Sequence, residues 1–227
     1  SYYVWMNSAV EASEDLQNLL PGQQHIGHNF SVPLRPWPID AGGQDLSWYR
    51  NNRFGSHKSY FTVGQHKGAY GGYRHNADFG FGHWARYDDM PGQKLWLWAL
   101  SRQGGIWEDL LTDTDGQYVE PQAGRLFNQN DHQFFAPHSG DRWKEIWFPY
   151  KQIGPMVAAT PYGVLGLQQK DGTVVLGVCA LQPLNEDLVV SMGNREVLRQ
   201  RLNLAPMQTF IQPLDAPPHG QLIEVVI

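Results

Sequence analysis

Short runs rich in Tyr, Trp, Val and Phe recur along the chain, separated by Gly, Pro, Asn and Asp. That punctuation predicts many short β-strands. Residues 2–10 read as a strand, 58–64 and 68–75 alternate like a pair, and 79–87 continues the pattern. After Pro91-Gly92, residues 94–100 (KLWLWAL) form the clearest strand, and 117–124 and 143–148 give two more. The Asp171-Gly172 pair between GVLGLQQK and TVVLGVCAL predicts a two-residue hairpin. MQTFIQPL and QLIEVVI are strand-like as well. Helical spacing is confined to 186–204, around NREVLRQRL, with strand as the alternative there. Residues 13–57 hold a stretch with four prolines and little periodicity; a loop this long is functional or lies over another part of the molecule. The pattern as a whole predicts an all-β fold.

Composition changes near residue 150, from Trp-, His- and Gly-rich to aliphatic, and all nine Trp lie between Trp5 and Trp147. The expected organisation is one β-sandwich domain, 1–227, in which 1–150 carries the binding work and 151–227 completes the sandwich. With 17 basic against 22 acidic side chains the net charge is −5, and no Lys/Arg run occurs. A nucleic-acid partner is therefore not expected. No apolar stretch approaches the roughly 20 residues needed to span a bilayer, so no membrane partner is expected either. The single cysteine, Cys179, excludes an intrachain disulfide and reads as a small buried apolar residue. The chain opens at Ser1 directly in a strand-like run and reads as a fragment, which leaves the compartment open between cytoplasm and periplasm. No nucleophile elbow, phosphate loop or dinucleotide fingerprint appears, and no cofactor is expected.

Two segments carry candidate chemistry. In YVEPQAGRLFNQ (118–129) Glu120 and Gln122 share a strand face opposite Val119, and Arg125 and Gln129 follow where the strand leaves the sheet. In DRWKEIWFPY (141–150) Trp143, Glu145 and Trp147 alternate onto one face. A carboxylate between two indoles is partly desolvated, which raises its pKa and suits general acid or base work, or hydrogen bonding to a sugar diol. Donors and acceptors beside aromatic rings are what hydroxyls and C–H faces of a sugar need, with Trp107, Trp143 and Trp147 as the platform. His75 and His83, which bracket NADFGFG, are candidate proton shuttles. A glycosidase pair, Glu120 with Glu145, needs carboxylates roughly 5–5.5 Å apart for retention or 6.5–9.5 Å for inversion. Histidine spacings, His25 and His28 included, match no zinc pattern, so no metal is expected. The Asp113–Gly116 segment reads as a turn, not a calcium loop. Glu108 and Asp109 face opposite sides of an assumed strand, and the Asn29-Phe30-Ser31 sequon is at chance level.

PGQKLWLWALS (91–101), IWEDLLTDTDGQYVEPQAGRLFNQ (106–129) and PHSGDRWKEIWFPY (137–150), with SYYVWMNSAV and GGYRHNADFGFGHWA, resemble a family of uncharacterised bacterial domains. That family often precedes tetratricopeptide repeats and is similar to the galactose-mutarotase-like supersandwich. The resemblance covers roughly residues 1–165. It implies a large antiparallel two-sheet sandwich, incomplete here at its N-terminal side, that binds a mono- or oligosaccharide on a concave face. It also implies partnership with further segments of the polypeptide or a second chain. Mutarotases use a histidine acid and a glutamate base; Glu145, Glu120, His75 and His83 are candidates for such roles by chemistry alone.

Overall fold

The alternation in KLWLWAL becomes β9 (Gly92–Trp98), a central strand of a seven-stranded antiparallel sheet. The sheet runs β1 (Trp5–Asn7), β10 (Tyr118–Gly124), β9, β6 (His57–Val63), β4 (Gln24–Ile26) and β5 (Arg35–Pro36), and β2 (Val10–Glu11) also pairs with β10. Pro121, which cannot donate to a ladder, lies in β10 where its edge partner breaks between β1 and β2. A four-stranded sheet runs β11 (Glu145–Lys151), β8 (Phe79–Ala85), β7 (Ala69–Arg74) and β3 (Leu16–Leu19). Inward-facing Tyr60, Leu95, Leu97 and Val119 meet Leu16 and, from the early loop, Trp37, Leu46 and Tyr49. Each such burial contributes about 1.5–3 kcal/mol, so the proline-rich segment is held down by its own apolar residues.

The computed structural model describes residues 4–28, 33–53, 55–64, 67–170, 172–217 and 221–227. Residues 2 and 3 of the first predicted strand, the Asn29-Phe30-Ser31 sequon and Asp171 of the predicted hairpin lie outside them. The chain divides into two compact units, Ser1–Ala77 with Phe81–Trp147, and Asp78–Gly80 with Phe148–Ile227. The division falls beside the residue where composition changes.

The second unit contains the sheet β12 (Met156–Ala159), β13 (Gly163–Lys170), β14 (Thr173–Ala180) and β17 (Thr209–Asp215). It also contains the sheet β16 (Arg195–Arg201), β15 (Asp187–Met192) and β18 (Ile223–Val226). Its core is aliphatic: Leu176, Val178, Leu188 and Val190 are almost fully buried. Lys170 pairs with Thr173, the register that the predicted hairpin requires, and Gly172 has φ +78.

The all-β expectation holds: among the described residues the strands form four antiparallel sheets. Three local expectations are corrected. Residues 186–204 are not helical: Met192 pairs with Arg195 around Gly193 (φ +59) and Asn194, a two-residue hairpin. The strands at 58–64 and 68–75 are not partners of each other, because β6 joins one sheet and β7 the other. Glu108 and Asp109 are not on a strand: α1 (Arg102–Trp107) runs into a wider π-type helical stretch, Glu108–Thr112. Gly104 and Gly105 conceal that helix from propensity reasoning. Gly104 is needed there, since a Cβ would come within 2.6 Å of the Ala99 carbonyl oxygen. Among the described residues no helix is long and apolar enough to cross a membrane.

Candidate functional site

The same alternation that buries Leu95 and Leu97 turns Lys94, Trp96 and Trp98 to the other face of the seven-stranded sheet. Across β10, Gln122 pairs with Lys94 and Glu120 with Trp96. Across β6, Phe61 pairs with Lys94, Ser59 with Trp96 and His57 with Trp98. Across β1, Asn7 pairs with Gln122. One face thus gathers side chains from four strands.

Its polar part is a hydrogen-bonded network. Gln122 Nε2 donates to Glu120 Oε2 at 2.7 Å, and Asn7 Nδ2 donates to the same oxygen at 3.4 Å. Lys94 Nζ donates to Gln122 Oε1 at 3.1 Å and to Gln129 Oε1. Lys94 is 1% exposed and its ammonium lies 5.3 Å from the Phe61 ring centroid. Burial pulls its pKa down to about 8, with the Glu120 charge acting the other way. The aromatic part lies beside this network. Trp98 stacks on Trp107 (5.3 Å, 12°) and meets Trp96 edge-on at 4.7 Å. Trp96 also stacks with Tyr118 and His57, each at 6.1 Å. At the other end Trp5 lies across the facing Gly92 and Gly124, where a Cβ on Gly124 would reach within 2.3 Å of its ring. Trp96, Trp98 and Trp107 are half-buried, so ring surface stands next to fixed donors and acceptors.

A second polar-aromatic cluster belongs to the four-stranded sheet. His83 on β8 and Glu145 on β11 meet at 3.1 Å, Nε2 to Oε2, with side chains 1% and 14% exposed. Trp143 Nε1 donates to Glu145 Oε1 at 3.1 Å, and the Trp147 ring lies 4.6 Å from His83. Desolvation pushes the Glu145 pKa up, but hydrogen bonds from His83, Trp143 and Trp147, with the His83 charge, outweigh it, and the net shift is downward. The expectation of a raised pKa is corrected: two indoles desolvate the carboxylate, but they and an imidazole also donate to it. Arg125 extends the cluster, with a bidentate pair to Asp141 (2.8 and 2.6 Å), a bond to the Asp89 carbonyl and its guanidinium 5.4 Å from the Trp143 ring. Tyr70 stands 5.1 Å from His83 and donates its hydroxyl to the Gln122 backbone carbonyl.

A family model described as a domain of unknown function (DUF5107) matches residues 1–150. The chain belongs to that family. The match includes both clusters and stops where the aliphatic region begins. Among solved structures, a TPR-domain-containing protein from Parabacteroides distasonis is similar at 22% identity, with a TM-score of 0.47 over 66% of this chain. The chain spans 22% of the length of that protein.

Within the family's matched region the predicted residues separate. Glu120, Gln122, Gln129 and Trp107 come together on the seven-stranded sheet; Glu145, His83, Trp143, Trp147 and Arg125 come together on the other. Trp107 therefore does not share a platform with Trp143 and Trp147. Among the described residues Glu120 accepts from Asn7 and Gln122, whereas Glu145 accepts from His83 and Trp143. His75 stacks on Trp48 at 4.9 Å and bonds Gln17 at 3.1 Å. It follows directly on β7, five residues beyond Tyr70. Lys94, Trp96, Trp98, Tyr118 and Asn7 are site residues that sequence reasoning missed. The signal was available, because Lys94, Trp96 and Trp98 alternate within KLWLWAL. Among the described residues no three His, Cys, Asp or Glu side chains are grouped to hold a metal ion.

Proposed function

We propose that the outer face of the seven-stranded sheet binds carbohydrate, in a domain whose sandwich is of the mutarotase-like kind. The observation that carries this reading is the hydrogen-bonded set Glu120, Gln122, Lys94 and Gln129 lying beside half-buried Trp96, Trp98 and Trp107. Fixed donors and acceptors match ring hydroxyls, and indole faces match the apolar C–H surface of a pyranose. Glu145, the second carboxylate a glycosidase would need, is held on the other sheet by His83 and indole donors. Binding is accordingly preferred to hydrolysis, and Glu145 and His83 are read as support. A second reading, a scaffold that docks on repeats or a partner protein, is favoured by exposed Ile106, Leu110 and Leu111 flanking Trp107.

Calorimetry of the chain against a panel of mono- and oligosaccharides is the test. The expected result is saturable binding that Trp96→Ala weakens about 30-fold, the effect of removing a tryptophan anchor, with circular dichroism unchanged. No binding of any sugar at millimolar concentration would overturn the proposal in favour of the scaffold reading.

A further inference from the structure

We infer that the open side of the aliphatic unit is a docking seam for an extended segment of a partner protein, with apolar side chains at alternate positions and basic ones between. The inference is independent of the carbohydrate reading, because every residue concerned lies beyond the 1–150 stretch that the family model matches. The two sheets of that unit share a core through Leu176 and Val178 of β14 and Leu188 and Val190 of β15, but one has four strands and the other three. Beside this core lies a cavity of about 620 Å³, lined by β12 and β13 and by β18. Ala158 on β12 shares a sheet face with its cross-strand partner Leu165, which packs on the core. The edge strand thus offers a methyl group where the next strand offers a leucine, and the space above it stays unfilled. Val225 and Ile227 border the same space from β18.

The two edges of the smaller sheet differ in a way that selects the occupant. β16, at one edge, is guarded by Arg195, Glu196, Arg199 and Arg201, as exposed edges ordinarily are. β18, at the other, carries a single charge, Glu224, and neither lysine nor proline, while Leu222, Val226 and Ile227 are exposed. The Gly193 N–H donates to the Leu222 carbonyl at 3.1 Å. By the alternation of an antiparallel ladder, Glu224 and Val226 then turn their backbone groups to β15, and Ile223 and Val225 turn theirs outward. Those outward N–H and C=O groups have no partner among the described residues. A strand laid beside β18 pairs with them and brings the smaller sheet to four strands, and its inward side chains fill the space over Ala158. Charge selects the outward side chains. Glu186 is the one charged residue among the described lining of the cavity. Glu224 forms no ion pair among the described residues, whereas Glu196 pairs with Arg199 and Asp187 with Arg201. Lysine or arginine at the outward positions of the added strand meets Glu224 across the ladder.

The experiment titrates the whole chain into a short fluorescent peptide that alternates lysine and valine, followed by anisotropy. The expected result is saturable binding. It should be at least about tenfold weaker for a peptide of the same composition with its valines in one block, and for one N-methylated on alternate residues, which cannot donate along the edge. Ala158→Leu fills the space above β12 and should weaken the alternating peptide by about tenfold or more, with circular dichroism unchanged. Glu224→Lys lies on the exposed face and should weaken it about threefold, the scale of a cross-strand charge pair; either variant decides the matter if the other fails to fold. No saturable binding at millimolar peptide, equal binding of the alternating and block peptides, or binding unmoved by both variants would overturn the proposal. A dimer in sedimentation equilibrium that Ala158→Leu dissolves, with no peptide bound, would assign the seam to a second copy and overturn it too.

Discussion

The two polar-aromatic clusters are built from similar residue types and differ in how their charged groups are partnered. On the four-stranded sheet, Glu145 accepts from His83 and from indole N–H groups, and the carboxylate is stabilised in its charged form. On the seven-stranded sheet, a buried ammonium is destabilised as a charge, its neighbours are amides and one carboxylate, and the flanking rings are half-buried. In the first arrangement the carboxylate is fully occupied by donors, while among the described residues His83 Nδ1 has no hydrogen-bond partner. The second leaves ring surface of Trp96, Trp98 and Trp107 uncovered, which is what the proposed binding face requires. Tryptophan beside glutamate therefore does not identify a site until the partners of both are known.

The sharpest way to break the comparison is to remove Glu145. Glu145→Ala strands His83 and two indoles in a buried region, and unfolding in denaturant should show a loss of about 3 kcal/mol. Sugar affinity of the folded fraction should hardly move. A selective loss of binding with full stability would reverse the roles assigned to the two clusters. Its pH dependence follows from the lowered pKa. The stabilisation is fully present above the ordinary carboxylate range and is lost as pH falls through the folded-state value. Glu145→Gln should flatten that acid limb.

For Lys94 it is the charged form that burial destabilises. Its folded-state pKa, about 8, lies below the ordinary 10.5, so between those values the unfolded chain binds more protons and stability rises with pH. The full difference corresponds to about 3 kcal/mol. The rise is cut short near pH 10, where unfolded tyrosines ionise while burial keeps Tyr49, Tyr60 and Tyr70 protonated. Lys94→Met should flatten the slope between pH 8 and 10, measured by denaturant midpoints. An unchanged slope would mean that the ammonium is not desolvated and that the face is an ordinary solvated surface.

Period-two alternation made most strands legible, including the central β9, because it is a local property of the chain. What could not be read was which strands pair, since a register such as Glu120 with Trp96 joins segments 24 residues apart. The site was split for that reason. Glu120 and Gln122 were recognised on their own strand, but Lys94 had no apparent partner until β9 lay beside β10. The Glu145 shift was misjudged in sign because His83 reaches it from 62 residues away. The helix at 102–107 was hidden by two glycines, one of which is required by the Ala99 carbonyl. In the early loop, proline density suggested irregularity; Trp37, Leu46 and Tyr49 nevertheless anchor it in the core.

The smallest expected effect tests whether the two clusters are independent at all. Tyr70 is 1% exposed, lies against His83, and donates its hydroxyl to the carbonyl of Gln122, whose side chain belongs to the other face. Tyr70→Phe deletes that bond with little change of shape, and stability should fall by about 1 kcal/mol. If the bond fixes the position of β10, sugar affinity should fall as well, by less than tenfold. Its effect should then combine non-additively with Lys94→Met, because the two substitutions act on one strand from opposite sides. Strict additivity in that double-mutant cycle, with affinity unchanged by Tyr70→Phe, would mean that the inner cluster stabilises the sandwich without tuning the outer face. A coupling of about 0.5 kcal/mol or more would make Tyr70 a positioning residue for Gln122.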